Sequence, residues 1–356
     1  MADWKNVLYT RNAVLAGLIV VVLLVLYVVE RDRERNSEEI AGNQSTSTPQ
    51  FVTFSFDGSR SKDMWEETRT FAKEMGEEGK DIKFTYFVSG VYFLTSQNKN
   101  VYLSPYGKLG ESRLAFAKDA EEIQTRISEI NVAIGEGHEI ASHGNGHFDG
   151  RAWTEAQWKQ ELESFKKLLF GIKENNPGIL VSEDLKLMPE DVVGFRAPEL
   201  AVNSSVYTPL RELGYRYDAS TVAHTPEWPK KDARGIWQFP LHDIVLEPDA
   251  RTTISIDYSM YYLQSGAKDV AKKGTPLWGR FHNEIVDAYM KHFTEQYENE
   301  RAPISVVNHF TKWNDGVYFE AMKDFARNVC GLPDVRCTTY RELTDYLDRA
   351  SVDATE

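Results

Sequence analysis

The sequence predicts an α/β fold arranged as a barrel of the (β/α) type, and three observations carry the prediction. From Phe51 onward, short runs rich in β-branched and aromatic residues alternate with amphipathic helical segments, the pattern of parallel strands joined by crossover helices. The 356 residues, 42% of them hydrophobic, can bury one large core, and no internal repeat is present. The residues with the most chemistry fall where the strand-like runs stop, the end of such a barrel that carries its site.

Taken in order, residues 1–12 are a short N-terminal tail and residues 13–29 are uninterruptedly apolar. At about 1.5 Å per helical residue this run spans most of a hydrocarbon core, so a transmembrane anchor is expected. Val28-Val29-Glu30-Arg31 offers no small-residue cleavage site, and no Cys follows to accept a lipid. Lys5 and Arg11 precede the run while Arg31, Arg33 and Arg35 follow it among acids, so the positive-inside rule does not orient it. Residues 30–50 are a polar linker without apolar period. Residues 51–349 form the folded domain, and 350–356 a tail.

Within the domain, strands are expected at 51–56, 83–88, 139–142, 192–195, 216–217, 252–256 and 304–308. Helices are expected at 118–134 and at 154–172, the second opening on Thr154 as N-cap. Cys330 and Cys337 flank a short Gly/Pro loop, which suits either a disulfide in an oxidising compartment or two core thiols.

The formal net charge of -13 argues against nucleic acid as a partner, because phosphate binding needs clustered Lys and Arg. It repels anionic polymers as well, leaving a neutral or cationic partner.

Five short motifs stand at strand ends. Ser55-Phe56-Asp57-Gly58 closes the first strand on a carboxylate able to take a proton or ligate a metal, although Asp-Gly is also an ordinary turn. His143 and His147 are four apart, a spacing that brings two imidazoles to one side for a divalent metal. His138, beside them, reads as structural. Arg196-Ala197-Pro198 places a guanidinium that can hold a carboxylate. Asp218 ends a fourth run, and Asn308-His309 ends a fifth beside Trp313.

In this order and approximate spacing, Ser55-Phe56-Asp57-Gly58, His143-x-x-x-His147, Arg196-Ala197-Pro198, Asp218 and Asn308-His309 resemble the five motifs of the polysaccharide deacetylase family, carbohydrate esterase family 4. The resemblance spans residues 51–345. It implies a distorted (β/α)7 barrel, a divalent metal with zinc the first expectation, and removal of N-acetyl groups from an N-acetylated polysaccharide of a cell wall or extracellular matrix. Carried over, Asp57 is the general base, His143 and His147 the metal ligands, and His309 the general acid. Arg196, braced by Asp218, orients Asp57, and Pro198 and Trp313 line the substrate. With the apolar run as anchor, the resemblance places the domain outside the cytoplasmic membrane.

One departure stands out. The family's first motif has two adjacent acids, base then metal ligand, whereas here Asp57 is followed by Gly58. Counting from Ser55-Phe56, Asp57 is the base and the metal loses a carboxylate. Counting back from the glycine, Asp57 is the ligand and the base is missing. We adopt the first count, with water, Asp149 or Asp257 to fill the gap. Trp153, Trp228, Trp237, Tyr258 and Tyr261 lie near the motif loops and are core or loop anchors before they are sugar contacts. The competing expectation is a non-catalytic, saccharide-binding protein of the same fold with a degenerate metal site.

Overall fold

The computed structural model describes residues 48–353. The expected anchor at 13–29 lies outside them, and among the described residues no helix is long and apolar enough to cross a membrane. Residues from Pro49 onward cluster into one compact unit.

Its centre is a curled, mostly parallel sheet in the order β11-β1-β2-β3-β4-β5-β8-β7, consistent with the (β/α)7 type. The parallel members are β1 (Gln50–Asp57), β2 (Phe84–Val88), β3 (Glu139–Ser142), β4 (Gly194–Phe195), β5 (Tyr217–Asp218), β8 (Trp237–Gln238) and β11 (Ile304–His309). β7 (Lys230–Lys231) pairs antiparallel at one end, and β12 (Val335–Thr338) adds parallel to the first half of β1.

One strand differs from expectation. The run at 252–256 forms no strand of the parallel sheet and meets it only at its end, through the parallel bridge of Ile256 with Val307. Residues 251–254 form β10 (Arg251–Ile254), antiparallel to β9 (Leu241–Leu246), in a separate sheet completed by β6 (Val222–Ala223). The parallel place beside β5 goes to Trp237–Gln238, a pair of residues too short to show a period of two. The expected C-terminal tail is also shorter than read, because the last helix runs Tyr340–Asp353.

Alternation along β1 sorts the two faces of the sheet. Val52, Phe54 and Phe56 pack into the larger core with the surrounding helices, while Phe51 joins Phe87, Tyr217, Phe239 and Tyr340 in a second cluster on the other face. Both faces are buried, as a parallel sheet covered by helices requires. The helix Glu155–Phe170 starts where Thr154 predicts, with Gln157 returning the cap in a capping box. Cys330 and Cys337 are joined, which settles the open choice for the disulfide and ties the helix Trp313–Val329 to β12.

Candidate functional site

β1 ends on Asp57, and in the parallel register Asp57 faces His309 at the end of β11. Two expected catalytic residues are therefore cross-strand neighbours, placed by backbone pairing alone. Asp57 is 3% exposed. Arg196, fully buried at the end of β4, reaches it through Nη1 at 2.8 Å, and the same nitrogen donates to Ser55 Oγ at 2.9 Å. Nε donates to the Ala219 carbonyl at 3.0 Å and Nη2 to Tyr340 Oη at 3.0 Å. Burial pushes the Asp57 carboxyl up, but Arg196, His143 and His309 outweigh it, so the group sits below the usual carboxylate range and is ionised.

His143 follows β3 and donates its Nδ1 hydrogen to the Arg196 carbonyl at 2.9 Å, which leaves Nε2 with its lone pair. Burial lowers its pKa to about 4, with Asp57 opposing. His147 lies 5.5 Å away between ring centroids and sits at φ 57°, a conformation costly for a residue with a Cβ and typical of functional loops. Burial lowers its pKa too, against the pull of Glu199.

His309 has the opposite surroundings. Its Nδ1 hydrogen goes to Asp257 Oδ1 at 2.6 Å, and its backbone N–H goes to Asp257 Oδ2 at 2.7 Å. Burial lowers the imidazole pKa, yet the Asp257 carboxylate more than reverses this, so His309 titrates above the usual histidine range. Its ring lies 5.4 Å from Trp313, which stacks on Tyr261 at 5.0 Å and 7° and meets Tyr258 at 5.3 Å. Tyr258 is 48% exposed, so the aromatic group opens to solvent beside His309.

Asp57, Arg196, His143, His147 and His309 are thus brought together. Asp218 is not where the resemblance puts it. Its carboxylate accepts from Ser220 N at 3.1 Å, from Ser220 Oγ and from Tyr207 Oη at 3.2 Å, while the Arg196 Nε goes to the neighbouring Ala219 carbonyl. Asp218 acts one step removed, because Ser220 Oγ accepts the Ala197 N–H at 2.7 Å and so fixes the chain just after Arg196. Burial raises its pKa to about 6. Pro198 is buried and opens the short turn Pro198–Leu200, in which Glu199 takes φ 57°. His138 is structural as expected, accepting the Phe84 N–H on Nδ1 at 3.1 Å.

Neither acid proposed for the vacant ligand position is available. Asp149 is held by Arg151 at 2.5 Å on the surface, and Asp257 is committed to His309. Gly58 has φ 80° and open space where a Cβ would be. A zinc site needs at least three protein donors at about 2.0–2.3 Å. Among the described residues no group of three or more His, Cys, Asp or Glu side chains is set to hold a metal ion. His143 and His147 present two imidazoles, but the Asp57 oxygen bonded to Arg196 is already engaged. Among the described residues, no third side chain is set beside these two imidazoles for the implied metal.

Sequence pattern alone does not assign Asp257 and Tyr340 their parts. Asp257 carried a signal, an acid closing an apolar run. Tyr340, opening the last helix, carried none.

No family model matches the sequence, and no curated protein does. Solved structures do resemble the fold. A protein from Mycobacterium smegmatis assigned as a polysaccharide deacetylase is 17% identical with a TM-score of 0.51, over 86% of this chain and 93% of that one. One from Pseudomonas aeruginosa PAO1 with the same assignment is 14% identical with a TM-score of 0.48, over 85% and 92%. The Xyl-CE4 domain of a multidomain xylanase from the hindgut metagenome of Trinervitermes trinervoides is 14% identical with a TM-score of 0.43, over 85% and 92%. The curled parallel sheet, with its polar cluster at the strand ends, is a mixed α/β architecture. Its fold is the one seen in the Mycobacterium smegmatis structure assigned as a polysaccharide deacetylase.

Proposed function

We propose that this protein removes acetyl groups from an N-acetylated saccharide, with Asp57 and His309 handling the protons. The observation that carries the reading is the facing pair at the ends of β1 and β11, each member held by its own buried counter-ion: Asp57 by Arg196 and His309 by Asp257. Asp57, ionised, takes a proton from water as it adds to the acetyl carbonyl. His309, as imidazolium, gives a proton to the departing nitrogen, so that the C–N bond breaks and acetate and a free amine leave. Trp313 and Tyr258, beside His309, offer ring faces to a pyranose. The apolar run at 13–29 and the Cys330–Cys337 bond support a membrane-anchored domain outside the cytoplasm, where a polymeric substrate of a cell wall or matrix would be met.

The short donor set favours a second reading, a saccharide-binding protein of this fold that does not turn over. One assay separates them. Acetate release from N-acetylglucosamine oligomers should be measured with the full chain, with added zinc and with chelator, and should fall by roughly 100-fold or more in Asp57→Asn. Equal background release from both proteins under every condition, with saccharide binding retained, would establish the second reading.

A further inference from the structure

From the hydrogen bonds around Arg196 we infer that Tyr340 is a positioning residue for the proposed reaction, holding the guanidinium so that one face of its fork is presented to Asp57. The inference rests on Asp57 being the base. Arg196 and Tyr340 are both fully buried. The guanidinium is fixed at three corners: Nε on the Ala219 carbonyl, Nη1 on Ser55 and Asp57, and Nη2 on Tyr340 Oη. The Phe87 ring lies 4.1 Å from its central carbon and the Tyr340 ring 5.5 Å. Nε sets the root of the plane and Nη2 its rotation, so the direction of Nη1 follows from both. A buried fork with a free corner turns toward whatever acceptor is nearest, which moves the carboxylate bonded to it.

Tyr340 is itself clamped from the opposite end of the sheet. Its backbone N–H goes to Thr85 Oγ1 at 3.1 Å, and Thr85 in turn donates to the buried Glu139 at 2.9 Å. Tyr217 stacks on the Tyr340 ring at 5.6 Å and donates its hydroxyl to the other Glu139 oxygen at 2.9 Å. A tyrosine held at ring and backbone has little freedom left at its hydroxyl. Aspartate, arginine and tyrosine thus form a line in which the last member never meets substrate.

The test is Tyr340→Phe in the full chain, which keeps the ring and removes the hydroxyl. In protein carrying 15N-labelled arginine, the fully bonded Arg196 should give separate, slowly exchanging Nη signals, identified by their loss in Arg196→Lys. Tyr340→Phe should merge them, because losing the bond to Nη2 frees the guanidinium to rotate about Nε–Cζ and exchange its two Nη positions. With acetylated oligomer, kcat should fall about 10-fold with KM within about 2-fold, the mark of a misplaced base rather than a lost binding contact. Separate Nη signals and unchanged kcat in Tyr340→Phe, with only the melting temperature lowered, would overturn the inference. Should the unsubstituted protein release no acetate, the functional reading fails, and the arginine signals alone decide for or against Tyr340.

Discussion

His143 and His309 close two strands of one sheet, and each commits Nδ1 to an oxygen, yet their surroundings assign them opposite protons. His143 gives its hydrogen to a neutral backbone carbonyl, and burial then holds it uncharged, with a pKa lowered to about 4. His309 gives its hydrogen to a carboxylate, and its pKa rises despite the lowering that burial brings. One is a lone-pair donor at neutral pH and the other a source of protons. The residue type supplies the range of behaviour, and the atom across the hydrogen bond selects from it.

The largest expected effect comes from removing the proton source. His309→Ala should lower kcat by about 100-fold or more while changing the melting temperature little, since the imidazole is 28% exposed and its loss opens no core cavity. A kcat within a few-fold of the original would leave His309 without the role of acid.

A smaller change is expected from Asp257→Asn, which keeps the imidazole and takes away the charge that raises its pKa. In the unsubstituted protein kcat/KM should follow a bell. Its acid limb lies below the usual carboxylate range because Asp57 is lowered, and its basic limb lies above the usual histidine range because His309 is raised. Activity is lost on the acid side when Asp57 gains a proton and on the basic side when His309 loses one. Asp257→Asn should move only the basic limb, and move it down. His143, with its pKa lowered to about 4, gains its proton near the acid limb and leaves the basic limb to His309. A basic limb that stays in place would mean that some other group titrates there.

The smallest effect concerns the neutral imidazole. Gly58→Asp offers His143 and His147 a carboxylate in the open space at position 58. The left-handed φ of 80° costs an Asp about 1–2 kcal/mol of backbone strain. Zinc affinity in a calorimetric titration should nonetheless rise at least about 10-fold over the unsubstituted chain. Equal affinities would show that the ligand shortfall lies elsewhere.

The parts of this arrangement that the sequence makes legible are those where one strand and its next residue suffice. Alternation along β1 and β11 places Asp57 and His309, and Thr154 with Gln157 announces its helix. What stays hidden depends on residues far apart. Asp218 and Ala219 are adjacent, and no local pattern tells which of them receives the Arg196 Nε. Asp257 reads as a strand end but begins the helix Asp257–Ser265 and turns to His309, 52 residues on. Trp237–Gln238 takes a strand's place with too few residues to have a period.

Arg196 is bonded to Asp57, 139 residues before it, and to Tyr340, 144 residues after it. A ribosome delivers these three in order, so the guanidinium waits 144 residues for its last partner. β1, which carries the base, likewise waits for β11 and β12 to flank it. A nascent chain lacking its final strand and helix holds Asp57 and Arg196 but not the tyrosine that fixes the third corner of the guanidinium.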